Sequence, residues 1–218
     1  MRKPKICAVI THKDIDGIRE IGHLVDFFEV RIDMLGAGWE ELIPQLPGHW
    51  IACNRSSREG GHWYGDETRR VDELIRAGEM GAAIVDIELD TEDLEIAVRR
   101  IKKKSKCLIS YHDWEKTSSR EKLSGIVREE LQHGADICKV VTTATNFDDN
   151  LTMLSLIREF PAAKVIAFAM GASGIVSRIL SPLAGGFLTY ASLNAEHVSA
   201  PGQVTVEELN SIYRMLAR

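Results

Sequence analysis

Residues 137–142 read Ile137-Cys138-Lys139-Val140-Val141-Thr142, a β-forming run, and the amphipathic stretch Asp148 to Glu159 follows it. A short apolar run bounded by a helix-period segment indicates one strand–helix unit. The unit recurs from one end of the chain to the other. Strand-like runs fall at Lys5 to Ile10, Phe28 to Asp33, Trp50 to Arg55, Ala83 to Glu88, Cys107 to His112, Ile137 to Thr142, Val165 to Met170 and Gly186 to Ala191. Between them lie amphipathic segments such as Asp66 to Ala77, Glu92 to Lys103 and Ser118 to His133, and a last helix is expected at Val206 to Leu216. Eight such repeats predict an α/β protein, a (β/α)8 TIM barrel forming a single domain over residues 1–218. A doubly wound open sheet is the rival, but it usually has fewer strands and a Gly-rich turn after the first. Here Thr11-His12-Lys13-Asp14 occupies that place.

The chain has 218 residues, enough for one substantial core, with 44% hydrophobic and 27% charged residues, which is ordinary globular usage. A formal net charge of −5 argues against non-specific nucleic-acid binding. The one dense basic run, Lys102-Lys103-Lys104-Ser105-Lys106, reads as a solvated helix end. No stretch of about 18 apolar residues suggests a membrane span, and the apolar run after the basic N-terminus, Ile6 to Ile10, is too short for a secretory signal. Cys7, Cys53, Cys107 and Cys138 each sit in an apolar strand-like segment without paired metal spacing. They predict reduced, buried thiols of a cytoplasmic protein.

Lys139 is the only charge within its run. Its side chain must either bend out to water or place the amine in a cavity. Burial would disfavour the ammonium, lower its pKa and expose the nucleophilic amine that Schiff-base chemistry needs. On this residue alone both readings stand, and the other strands bear on the choice.

In the second strand Glu29, Arg31 and Asp33 alternate with Phe28, Val30, Ile32 and Met34. Period two sets the charges on one face. Barrel strands turn their apolar face to the helices, so the charges face the lumen, either as a structural ion network or as part of a ligand site. The third run delivers Arg55 to the lumen and Glu59 to the loop beyond. The fourth carries Asp86 and Glu88 on one face, and the fifth ends Ser110-Tyr111-His112-Asp113. Polar groups gathering at the C-terminal ends of several barrel strands are where catalytic groups of this architecture stand.

Six fragments, in order, resemble the type I 3-dehydroquinate dehydratase family. They are Glu29-Val30-Arg31-Ile32-Asp33, Arg55-Ser56-Ser57-Arg58-Glu59-Gly60-Gly61, Ser110-Tyr111-His112-Asp113-Trp114-Glu115-Lys116-Thr117, the Lys139 strand, Gly174-Ile175-Val176-Ser177-Arg178 and Ser199-Ala200-Pro201-Gly202-Gln203. Each is weak alone; all six in order, at expected strand ends and βα-loops, are specific. The resemblance implies dehydration of 3-dehydroquinate in the shikimate pathway through a lysine Schiff base. Lys139 would form that base, His112 would act as general acid/base and Glu59 would orient His112. Arg178 would hold the substrate carboxylate with Ser199 and Gln203 from a mobile loop, while Glu29, Arg31 and Arg55 would bind ring hydroxyls and organise the pocket. It also implies no metal and no cofactor, a small-molecule substrate and a homodimer. Against longer members of that family the chain starts directly at its first strand, and Thr142-Thr143 stands where they carry a Met-Pro step. A class I aldolase barrel and a non-catalytic ligand-binding barrel are the alternatives; the first would expect a phosphate cup, for which Gly171-Ala172-Ser173-Gly174 is the candidate.

Overall fold

The computed structural model describes residues 3–217. Eight strands form one parallel sheet: β1 (Ile6–Ile10), β2 (Phe27–Arg31), β3 (Trp50–Cys53), β4 (Ile84–Glu88), β5 (Lys106–His112), β6 (Ile137–Thr143), β7 (Val165–Met170) and β8 (Thr189–Ser192). They are ordered β7-β6-β5-β4-β3-β2-β1-β8. The amide of Phe187 donates to the Val165 carbonyl at 2.8 Å just ahead of β8, so the barrel is nearly closed.

Helices alternate with the strands: α1 (Ile15–Ile21), α2 (Ile32–Leu35), α3 (Glu67–Glu79), α4 (Leu94–Ile101), α5 (Arg120–Gln132), α6 (Asp148–Glu159), α7 (Ile175–Leu180) and α8 (Val206–Leu216). Side chains set their starts. Asp66 accepts from the Arg69 amide ahead of α3, and Ser119 accepts from the Lys122 amide ahead of α5. Thr205 and Glu208 form a reciprocal capping box on α8.

Three expected strand bounds need correction. The second strand was expected to reach Asp33, but it ends at Arg31 and the chain turns at once into α2, which carries Asp33. The turn lets the Asp33 carboxylate fold back on the Arg31 guanidinium, accepting from Nε at 2.9 Å and from Nη2 at 2.7 Å. The third strand, expected to reach Arg55, ends at Cys53, where the chain leaves the sheet for the loop that carries Ser56 and Glu59. The last strand starts at Thr189, because Gly186 is held in a turn by its amide bonding the Ser181 carbonyl.

Period two divides every strand between two cores. Ile6, Ala8 and Ile10 of β1 pack outward under the helices, whereas Cys7 and Val9 face the lumen. In β6, Cys138 and Val140 pack outward while Ile137 and Val141 point inward, which puts Lys139 between them on the lumen side. The same rule places Glu29, Cys53, Asp86, Ser110 and Tyr190 inside the barrel.

Candidate active site

The buried reading of Lys139 holds: only 5% of the residue is exposed. Its Nζ donates to Asp86 Oδ2 at 2.9 Å, lies 3.6 Å from Glu29 Oε1, and sits 4.4 Å from the centre of the Tyr190 ring. The expected fall in pKa does not follow. Burial pulls the amine down, but the charges of Asp86 and then Glu29 outweigh it and hold Lys139 above its ordinary value. The resting side chain is an ammonium, and the nucleophilic amine forms only by proton loss within this cluster.

Asp86 is the hub that the sequence did not single out. Besides Lys139 it accepts from Arg55 Nη2 at 2.7 Å and from Ser110 Oγ at 2.7 Å. Burial would raise its carboxyl, yet Arg55 and Lys139 hold it well below the usual carboxylate range. Arg55 also donates to Ser110 Oγ at 2.7 Å and lies 3.3 Å from Glu88 and 3.4 Å from Glu59. Its fork is therefore largely committed to the protein. Glu88 is in turn bound to Arg70 and accepts from the Ser56 amide at 2.8 Å, tying the loop after β3 to β4. The signal for Asp86 was its alternation with Glu88 in a strand whose outer face is apolar. That pattern marks a face without saying which member meets the lysine.

His112 ends β5, and its Nδ1 meets Glu59 Oε2 at 2.7 Å, leaving Nε2 as the other ring nitrogen. Burial, Arg55 and Lys139 push His112 well below its ordinary value, so the ring is neutral. Burial also pushes the Glu59 carboxyl up to about 8. The turn that presents Glu59 uses Gly60 at φ 74, where an added Cβ would lie 2.1 Å from the Trp114 indole. Any side chain there would displace Trp114, which also lines the cavity.

Across the lumen Arg178 is 1% exposed, and among the described residues its Nε and Nη2 have no hydrogen-bond partner. Its Cζ lies 4.4 Å from the centre of the Phe168 ring. Burial without a counter-ion draws its pKa down to about 10. A desolvated guanidinium with two idle donors is costly, and an anionic ligand would remove that cost.

The loop between β8 and α8 closes over this side. Gln203 Oε1 accepts from the Ser199 amide at 2.7 Å and from Ser199 Oγ at 3.2 Å. The Gly171 amide donates to the Pro201 carbonyl at 3.0 Å, which seats the loop on the end of β7. Gly202, at φ 71, is required there because a Cβ would come within 2.4 Å of the Gly171 oxygen.

The cavity at this end of the barrel is lined by every residue predicted for the site: Glu29, Arg31, Arg55, Glu59, His112, Lys139, Arg178, Ser199 and Gln203. Tyr190, also at the wall, was missed because one aromatic in an apolar strand gives no signal. Glu29, Cys53 and Asp86 bring one donor atom each within 4.8 Å of one another, a grouping that could hold a metal. Lys139 and Arg55 already supply cations to its two carboxylates, so a metal would have to displace an ammonium. The site residues thus combine an amine, a neutral imidazole on a carboxyl group and a guanidinium with unpartnered donors, the set needed to add to a carbonyl, move a proton and hold an acid.

Comparison with known proteins agrees with the geometry. A family model described as Type I 3-dehydroquinase matches residues 6–218. The chain is 43% identical over 214 residues to a 3-dehydroquinate dehydratase of Dehalococcoides mccartyi, covering 98% of this chain and 96% of that one. A 3-dehydroquinate dehydratase of Methanocaldococcus jannaschii is 40% identical over 197 residues, 88% of each chain. Among solved structures, a type I 3-dehydroquinate dehydratase from Clostridium difficile with covalently modified comenic acid superposes with a TM-score of 0.87 at 26% identity, covering 98% of this chain and 92% of that one.

Proposed function

The chain belongs to the type I 3-dehydroquinase family, and from that premise we propose how its own residues divide the work. The reaction is the dehydration of 3-dehydroquinate to 3-dehydroshikimate, a hydro-lyase step of the shikimate pathway in aromatic amino-acid biosynthesis. The family carries it out through a lysine Schiff base.

In this reading Lys139, once deprotonated, adds through Nζ to the C3 ketone, and loss of water leaves a protonated imine. The positive nitrogen draws electrons from C2 and acidifies its proton. His112 takes that proton through Nε2 while Glu59 fixes the ring through Nδ1. The enamine then expels the C1 hydroxyl, which leaves as water with the proton returned by His112. Hydrolysis of the imine frees 3-dehydroshikimate and regenerates the amine. Arg178 binds the substrate carboxylate, and Ser199 and Gln203 complete its cover. Glu29, Arg31 and Arg55 line the wall that meets the ring hydroxyls, with the donors of Arg31 and Arg55 partly held by Asp33 and Asp86.

One observation carries this division. An unpartnered buried guanidinium and a buried lysine line the same cavity, a pairing that suits a substrate carrying a carboxylate and a ketone. It also favours this reading over a phosphate-cup aldolase. Mixing the protein with 3-dehydroquinate and following the conjugated enone absorbance of the product tests it; no absorbance with correctly folded protein would overturn it. The proposal extends to a cytoplasmic protein, in keeping with its four buried free thiols, to residues 1–218 as one catalytic domain, in keeping with the eight strand–helix repeats, and to a homodimer, as the family resemblance implies. No helix among the described residues is long and apolar enough to cross a membrane. A monomeric mass by light scattering would remove the dimer.

A further inference from the structure

The loop that carries Ser199 and Gln203 is held at two places, and only one of them lies among the residues discussed so far. Its second half rests on Gly171 through Pro201. Its first half is organised from within: Asn194 Oδ1 accepts from the amides of Glu196 and His197, each at 3.1 Å, and meets His197 Nδ1 at 3.0 Å. The two amide bonds of this Asn-centred turn fix the backbone at His197 and so the direction in which its side chain leaves the loop. The ring then lies on His12, in the loop after β1, with centroids 3.5 Å apart and planes inclined by 27°.

His12 stands on a rigid corner. Its Nδ1 meets Thr11 Oγ1 at 3.2 Å and its carbonyl accepts from the Asp14 amide at 3.0 Å, while Asp14 caps α1 by accepting from the Gly17 amide at 2.9 Å. The stack therefore ties the first half of the loop to the neighbouring loop after β1, two residues before Ser199. Without it the segment could pivot about the Pro201–Gly171 contact and carry Ser199 with it.

We propose that His12 and His197 are positioning residues whose ring stack seats Ser199 and Gln203 over the substrate carboxylate. The inference rests on the reading that those two residues bind substrate. Neither histidine touches the reacting atoms, so their loss weakens substrate capture and leaves the chemistry at Lys139 and His112 intact. The role needs a flat ring at each position, not an imidazole.

Steady-state kinetics with 3-dehydroquinate on the full chain tests this. His12→Ala and His197→Ala should each raise KM about 3- to 10-fold, the effect of one lost aromatic pair, with kcat changed less than about 2-fold. The double alanine variant should be no worse than the worse single, because the two rings act as one unit. His12→Phe combined with His197→Phe should restore KM. Unchanged KM in the single variants, additive losses, or a fall in kcat alone would overturn the proposal, as would failure of the phenylalanine pair to restore. Gln203→Ala separates the two layers. If it raises KM while the histidine variants do not, the stack is idle and the loop reading stands; if it leaves KM unchanged, the loop reading falls and the stack with it.

Discussion

Lys139 Nζ donates to Asp86 Oδ2 at 2.9 Å, so the nucleophile rests as one half of a buried ion pair. The second oxygen of that carboxylate is taken by Arg55 and Ser110, and Asp86 cannot turn away without stranding a cation. The pair explains why a fully buried lysine keeps its proton: the nearest charge is fixed and opposite, and it outweighs desolvation.

Neutralising Asp86 should reverse that balance. In Asp86→Asn, burial dominates and the Lys139 pKa falls, so the rising limb of imine formation against pH moves to lower pH. Asp86 is held below its unfolded value, so its stabilisation is present above the ordinary carboxylate range and lost as pH falls through the folded value. The variant lacks that stabilisation at neutral pH and should lose about 3–5 kcal/mol, because it strands Arg55 and Lys139. Borohydride capture at a series of pH values and denaturant unfolding check both parts; an unmoved limb would remove Asp86 from control of the amine.

Borohydride added during turnover should leave a ligand-mass adduct on the peptide containing Lys139. Lys139→Ala should abolish turnover and keep the fold at some cost in stability, since Asp86 retains Arg55 and Ser110 as partners. An adduct confined to another lysine, read by peptide mass, would sink the assignment.

Arg178 predicts an opposition between stability and binding. Arg178→Met exchanges an unpaired buried cation for an apolar side chain and should raise the Tm of the ligand-free protein, by about 2–4 °C for each kcal/mol regained. The same variant should weaken substrate binding by about 2–5 kcal/mol. Thermal unfolding and KM measure the two; a variant that is less stable and binds normally contradicts the assignment.

The Glu59 carboxyl is pushed up to about 8, so near neutral pH it is largely protonated and donates to Nδ1 of His112. That tautomer places the ring proton on Nε2 and removes the base. When the pair loses a proton, the ring proton comes to lie on Nδ1, donating to the Glu59 carboxylate, and Nε2 is freed, so kcat should rise with pH and level off above about 8. Glu59→Gln should lower kcat and flatten the limb, and His112→Ala should lose most turnover yet accumulate a lysine adduct visible by intact mass. A limb that persists unchanged in Glu59→Gln assigns the titration elsewhere.

The barrel was legible in the sequence because its strands announce themselves locally. Each apolar run is short, each intervening segment has helical period, and the alternation within Phe28 to Arg31 or Ile137 to Val141 already says which residues face inward. Glu29, Arg31, Arg55, His112 and Lys139 were legible for the same reason, because a polar group on the inner face or end of a strand meets the lumen, whereas the roles of Glu59, Arg178, Ser199 and Gln203, which lie off the strands, came from the family resemblance. What a single strand cannot express is distance across the barrel. Asp86 and Lys139 are 53 residues apart in the chain, and only closure of the sheet sets them 2.9 Å from each other. Protonation follows that distance and not the burial alone. Local reasoning therefore gave a buried lysine with a lowered pKa, whereas the assembled charges invert that shift. The unpartnered Arg178 donors and the ring stack of His12 on His197 belong to the same class: each depends on what separate elements bring, or fail to bring, within a few ångströms. The physical reason is that burial can be read from one strand's pattern, while Coulomb and hydrogen-bond terms depend on separations that only the closed barrel fixes.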